Sequence, residues 1–449
     1  MPPTEPLRRV LSEWLVKRWV MRFLALSVVL LLLAAAVTPI SSGGAAPAVE
    51  APTDVGPATP TPASEFAGSD GAGQTGASNV TAANGSNVSR ILAVPDEAVQ
   101  RTALNHATLT LGPSTRFSGN VTAVRVETAA VERYVTAPSD ADERSRRIIE
   151  ALSTVEQEVI TLRGLQQAAI DAFNDGELSS EAFVVELATI AARANALEDR
   201  VEMLSARADE IDGFSLSRAD AVAYELRAFG GPVRERAIGA IRGEAPRTLF
   251  FVTTGPEGYE LTTVADGTYV REAYRGAVRE ADSSASIDAA DAINVTRDSY
   301  PEIVADSDTS ATVSGSTAIV RQNYGDASLT AFVDAGSERV FKEYQRQPLA
   351  TFVSGPADSN VLNGLRITVN RTYPGGPMRV HVADAESGEP VDLSVTLSRG
   401  PSKGVDIGRT GDDGTLWTLS PRGSFTVTAV GEETAATFLE TNATEAPAI

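Results

Sequence analysis

Two stretches decide the fold of this chain: IIEALSTVEQEVITLRGLQQAAIDAF over residues 148–173, and FVVELATIAARANALEDRVEMLSARADEI over residues 183–211. In the first, Ile148, Leu152, Val155, Val159, Leu162, Gln166, Ala169 and Phe173 recur at alternating spacings of four and three. Phe183, Leu187, Ile190, Ala194, Leu197, Val201, Leu204, Ala208 and Ile211 repeat the pattern in the second. Such spacing keeps one seam of a helix facing a partner. The seam breaks at Asn174-Asp175-Gly176; Ser179 or Ser180 then caps a new helix, with Glu181 complementing its positive end. An antiparallel coiled-coil hairpin follows, with Phe173 and Phe183 near its tip. Asp212-Gly213 stops the second helix, and Ser217 to Phe229 and Pro232 to Arg242 read as shorter helices split by Gly230-Gly231, giving a helical unit over 139–243. A heptad seam ordinarily means packing, so these residues are expected to form an intrachain core; the alternative is that the hairpin, too narrow to bury every apolar face, docks a third helix or another subunit.

Beyond Arg247 the period changes to that of strands. LFFVTTG and GYELTTVADGTYVREAYR form strands with Asp266-Gly267 as a hairpin turn; Ser286 to Tyr300 reads as a helix, Ala311 to Tyr324 as extended, and Leu329 to Tyr344 as a hairpin around Asp334-Ala335-Gly336. This gives an α+β domain over 247–348. Helix followed by strands ending in VDAGSERVFKEY resembles the PepSY-like domains of secreted proteins, which implies a module that binds or restrains partners. From Leu365, LRITVNRTY, MRVHVADAESGEP, VDLSVTLSR, VDIGRTGDDGTLWTL and GSFTVTAV alternate between Gly, Pro and Asp turns, the pattern of a β-sandwich, placed over 360–440. The turn at Ser387-Gly388-Glu389-Pro390 and the run Thr410 to Trp417 resemble the carboxypeptidase-regulatory-like, transthyretin-type modules of surface proteins, which implies a spacer or adhesion unit.

Upstream, Ile91 to Gly112 reads as a turn and a short strand, within a short β/α segment over 91–138. Residues 41–90 form a stalk: 36 of the 50 are Ala, Ser, Thr, Gly or Pro, too few apolar groups to fold around. Ahead of it, Phe23 to Val37 carries no charge and follows Arg8, Arg9, Lys17, Arg18 and Arg22, as an export signal does, so residues 1–40 are a signal peptide or membrane anchor. An uncleaved signal would hold the chain in the membrane through residues 23–40; translation from Met21 would give a compact signal of its own. Export makes Asn79, Asn84, Asn87, Asn120, Asn294, Asn370 and Asn442, each opening an Asn-x-Ser/Thr triplet, candidate glycan acceptors. The whole is a multidomain α+β chain: N-terminal signal or transmembrane segment, disordered stalk, antiparallel coiled-coil helical hairpin, α+β domain and C-terminal β-sandwich.

A formal charge of -21 gives no footing for nucleic-acid binding. Only Lys17, Lys342 and Lys403 are lysines. Carboxylate excess with arginine in place of lysine resembles proteins of salt-loving archaea, where a Debye length of about 3 Å at molar salt makes self-repulsion tolerable. Together with ILAVPDEAVQR and ALSTVEQEVITL, the arrangement resembles an uncharacterised family of haloarchaeal exported surface proteins. The chain has no cysteine, and its two histidines, His106 and His381, stand alone, so no thiol nucleophile, disulfide or thiolate zinc site can form. Asp406 with Asp412-Asp413-Gly414 has the oxygen density a calcium ion wants, yet a hairpin turn accounts for the same residues. No catalytic residue, cofactor or metal is assigned. The expectation is a non-enzymatic cell-surface or secreted protein that binds an unknown protein partner at the envelope or forms part of it; the PepSY-like resemblance implies instead a regulator or inhibitor of an extracellular peptidase.

Overall fold

A computed structural model describes residues 90–107, 111–246, 248–303, 308–352, 356–400, 404–431 and 436–449. The leader, the stalk and the acceptors Asn79, Asn84 and Asn87 lie outside these residues. Among the described residues no helix is long and apolar enough to cross a membrane.

Strand β1 (Arg101–Ala107) leads into five helices: α1 (Leu111–Thr136), α2 (Ala141–Asn174), α3 (Ser180–Asp209), α4 (Ala219–Arg227) and α5 (Pro232–Arg242). Asp140 and Ser179 cap α2 and α3 by accepting from Glu143 N and Ala182 N. Every seam residue named above is buried. Phe173 and Phe183 stack at 4.8 Å, and Glu158 pairs with Arg193 further down, so the two helices run antiparallel. The third helix that the seam asks for is supplied by the chain itself. Helix α1 lays Val121, Val124 and Val135 on the pair, and Arg200 of α3, 3 % exposed, donates to Val124 O at 3.2 Å and Thr128 Oγ1 at 3.1 Å.

Strands β2 (Thr248–Thr254), β3 (Gly258–Ala265) and β4 (Thr268–Arg275) are followed by helix α6 (Ala289–Ser299), then by β5 (Asp308–Ser314), β6 (Thr317–Tyr324), β7 (Ala327–Asp334) and β8 (Arg339–Pro348). They form one eight-stranded antiparallel sheet in the order β1-β2-β3-β4-β8-β7-β6-β5, so β1, from the segment expected as a short β/α unit, is the sheet's edge. Asp266-Gly267 makes the expected two-residue turn, both residues at positive φ (51° and 73°). The run read as one extended stretch, 311–324, instead turns back on itself: Gly315, at φ 62°, lets Ser314 pair with Thr317 across a β5–β6 hairpin.

Alternation along each strand gives the sheet two buried faces. Phe250, Val252, Tyr259, Leu261, Tyr274, Phe332 and Phe341 share one hydrophobic core with the helices. On the opposite face, α6 covers Ala318, Val320, Leu329, Ala331 and Val333, while Phe251 and Tyr269 meet Leu349, Phe352 and Leu419.

Leu419 belongs to the last unit, whose strands are β9 (Ala357–Leu362), β10 (Leu365–Asn370), β11 (Pro377–Asp384), β12 (Ser394–Ser398), β13 (Val405–Arg409), β14 (Thr415–Leu419), β15 (Ser424–Val430) and β16 (Ala436–Asn442). Two four-stranded sheets, β14-β11-β10-β9 and β13-β12-β15-β16, bury Ile367, Val369, Val380, Val382, Val395, Leu397 and Val427 between them. The unit sits against the large sheet through Thr262 Oγ1, which donates to Gly375 O at 2.7 Å, and Tyr373, 3.3 Å from the Tyr269 hydroxyl. Gly375 is needed there. Its φ is +77°, and a side chain would strike the Phe251 ring.

Candidate functional site

Central strands β4 and β8 each carry a cation and a carboxylate, Arg271-Glu272 and Lys342-Glu343, all fully buried. Successive residues point to opposite faces, so each face receives one charge of each sign. Arg271 pairs with Glu343, and with Glu260 at 3.1 Å, on the face away from the helices. What these groups hold is the extended segment Ile91–Val94, itself buried. Glu343 accepts from Leu92 N at 2.9 Å, Glu260 accepts from Val94 N, Arg271 donates to Leu92 O at 2.9 Å, and Gln345 Nε2 donates to Arg90 O at 2.8 Å. The Tyr300 hydroxyl also donates to Glu343, at 2.6 Å. Residues near the C-terminal end complete the seat: Ile91 N donates to Pro447 O at 2.9 Å, and Ile449 N to Ile91 O at 3.0 Å. Burial pushes the Glu260 carboxyl up, against the pull of Arg271; Glu343 and Glu260 raise Arg271 despite its burial.

On the helical face, Glu272 lies 2.7 Å from Arg234 Nε and 3.6 Å from Lys342 Nζ. These cations collect the carbonyls at the end of α4. Lys342 donates to Ala228 O at 2.5 Å and Gly230 O at 2.7 Å, Arg234 to Phe229 O, and the Tyr344 hydroxyl to Gly230 O at 2.6 Å. Burial, and then the neighbouring Arg234, push the Lys342 ammonium well below the usual lysine range. Gly231 is forced by proximity: a methyl on it would overlap the Glu272 carboxylate.

The loop so fixed, Gly230-Gly231, forms one wall of a cleft of about 300 Å³ that opens over β6, β7 and β8. Ile319 and Phe332 form its floor, Ser328, Thr330 and Tyr344 its polar sides, and Arg321 and Arg346 its rim. Register puts Arg321 beside Thr330 and Arg346 beside Ser328. Asn195 and Glu235 also border a second cavity of about 340 Å³, which continues between α1, α3 and α5 towards Arg125 and Arg242. Burial raises the Glu235 carboxyl in this trough, with Arg346 pulling the other way. Neither the cleft nor the charge quartet was assigned from the sequence; the signal available was adjacent opposite charges, REAY and KEYQ, inside strand-period runs.

The residues singled out in the sequence do not converge. Asn120 lies on α1, Asn294 on α6 and Asn442 at the end of β16, all exposed; Asn370, half-buried, ends β10. Ser424 Oγ donates to Asn442 Oδ1 at 2.5 Å. His106 is on β1 in register with Leu249, and the His381 ring, on β11, meets Thr415 Oγ1 at 3.3 Å. Asp406 and Asp413 turn their carboxylates back on Gly408 N and Thr415 N, at 3.1 and 3.0 Å. Among the described residues no group of three or more His, Cys, Asp or Glu is placed to hold a metal ion.

Three family models match the chain. A domain of unknown function (DUF7096) covers residues 17–246, a family of unknown function (DUF7094) residues 250–353, and an archaeal fibronectin-III type-like domain residues 356–438. The C-terminal unit is therefore matched as fibronectin-III type rather than as the transthyretin type its turns resemble. No curated protein and no solved structure matches.

Proposed function

The chain belongs to the DUF7096 family, whose model spans just over half of it, and from that premise we propose that it is a non-enzymatic, extracytoplasmic protein of a halophilic archaeon, held at its N-terminal end and acting through protein–protein contacts at the envelope. The observation that carries this reading is the seating of Arg90–Val94. Immediately after the stalk-like sequence, the four residues Ile91–Val94 are locked by Glu343, Glu260 and Arg271 into the face of the large sheet. A body displayed on a tether needs its first folded residues to resist being pulled away, and burying both the backbone groups and the side chains of that segment provides this. Three features add support: the apolar run Phe23 to Val37 behind basic residues, the fibronectin-III type-like unit, and the charge of -21. Exposed Asn120, Asn294 and Asn442 are positions where glycans would be accommodated.

Trypsin added to intact cells tests the reading. Loss of the folded body from the cells, with N-terminal sequencing of the native protein starting either at the initiator or after the apolar run, is the expected result; the sequencing also separates a tethered from a released protein. A protein that survives such treatment in intact cells and is digested only after lysis would place it in the cytosol and end the proposal.

A further inference from the structure

We infer that the trough bordered by Arg321 and Arg346 at one end and Arg125 at the other binds an extended, carboxylate-bearing segment of a protein partner. The inference rests on the reading of this chain as a protein-binding body and names the chemistry of what it binds. Arg321 and Arg346 are exposed at the cleft, and among the described residues neither guanidinium makes a hydrogen bond or an ion pair within 4 Å, Glu235 acting on Arg346 only from a greater distance. Of the acids that border the two cavities, Glu198 is engaged by Arg227 at 2.6 Å, while Glu235, Asp199 and Glu244 are outnumbered by Arg321, Arg346, Arg125 and Arg242. Two free guanidinium forks over a floor of Phe332 and Ile319 present bidentate donors for carboxylates and an apolar seat between them. Ser328 and Thr330, two residues apart on the same strand, add hydroxyl-bearing side chains to the lining. Shape argues for an extended chain over a compact molecule. The two cavities share Asn195 and Glu235 and so run end to end across α3, with arginines at both ends. The trough opens on the helical face of the sheet, whereas the Arg90–Val94 seat is on the other, which leaves it clear of the tether.

Fluorescence anisotropy with the purified full chain, in the salt that keeps it folded, tests this. The probes are a fluorescein-labelled peptide of alternating glutamate and leucine, its glutamine counterpart, and a labelled oligogalacturonate. The glutamate peptide should bind, and the double variant Arg321→Ala/Arg346→Ala should weaken it by about tenfold or more, as expected for loss of two charge-assisted contacts. Arg366→Ala, an exposed arginine on β10, should bind like the parent. Circular dichroism of the double variant checks that the fold persists. Equal binding by parent and double variant, no binding of the glutamate peptide up to about 1 mM, equal binding of the glutamine peptide, or tighter binding of the oligogalacturonate overturns the inference. Because the measurement uses purified protein, it can fail while the trypsin result stands, and the reverse.

Discussion

Glu343 shows what a single side chain does here. It neutralises Arg271, accepts from Leu92 N and Tyr300, and has no exposure to water. Breaking a buried pair costs about 3–5 kcal/mol, and removing Glu343 leaves Arg271 with Glu260 alone, which places the loss near the lower figure. Glu343→Ala should lose about that much in urea unfolding, whereas Glu343→Gln, which keeps an acceptor for Leu92 N, should lose less; equal losses would mean that the acceptor contributes nothing beyond the charge. The buried phenols give a second prediction. Burial pushes Tyr373 up to about 12 and raises Tyr269, Tyr300 and Tyr344 well above the ordinary value of 10.0. Between those values the unfolded chain has released a proton that the folded chain retains, so stability present below pH 10 is lost as pH rises towards 12. For Tyr373, two units correspond to about 3 kcal/mol. Tyrosinate absorbance from these residues should rise together with loss of circular dichroism, and Tyr373→Phe should flatten the fall in stability between pH 10 and 12. None of this was legible beforehand. A charged residue in a strand ordinarily marks a solvated face, and only the packing of both faces of the sheet reveals Arg271, Glu272, Lys342 and Glu343 as interior groups.

The helical pair was the most legible element, because its seam is a local pattern that survives any tertiary arrangement. Phe173 shows the seam at its most committed. It stacks on Phe183, lies 4.3 Å beneath the Arg101 guanidinium and is fully buried. Phe173→Ala should cost about 3–5 kcal/mol in thermal or denaturant unfolding, while Ile160→Ala on the outer side of the same helix, 57 % exposed, should stay within about 0.5 kcal/mol. A similar loss at both positions would remove the seam as the source of helix stability. Asp140→Ala, which deletes the N-cap bond to Glu143 N, should lose about 1 kcal/mol. Helix α1 escaped the same reading for a physical reason. Leu111–Thr136 contains Gly112, Pro113 and Gly119 and no continuous apolar stripe, so its helicity depends on burial of Phe117, Val121, Val124 and Val135 and on the bonds from Arg200. Strand β9, Ala-Asp-Ser-Asn-Val-Leu, is similarly polar and is defined by its pairing with β10.

Across the whole molecule, the sequence divides at Gly and Pro clusters into units that the structure then joins by long-range contacts that no local pattern announces. The segment Ile91–Val94 is the junction. Leu92 packs in the core beneath α6, Ile91 and Ala93 pack with Tyr373 of the fibronectin-III type-like unit, and Ile91 bridges to Ala448. If that segment holds the sheet and the β-sandwich together, the two should unfold as one cooperative body while it is seated. Leu92→Asp places a third carboxylate beside Glu343 and Glu260, which already share Arg271, and among the apolar Ala273 and Tyr300 side chains, so the segment should leave its seat. The remaining contacts between the parts, chiefly Phe251 against Leu419, Tyr269 against Tyr373 and Thr262 against Gly375, are then few enough for the β-sandwich to unfold separately. Calorimetry should show one transition in the parent and two in Leu92→Asp, with the strands of residues 357–442 losing amide protection first or last as a group. A single transition, merely shifted down, would instead assign the coupling to the aromatic contacts and reduce the segment to ordinary core.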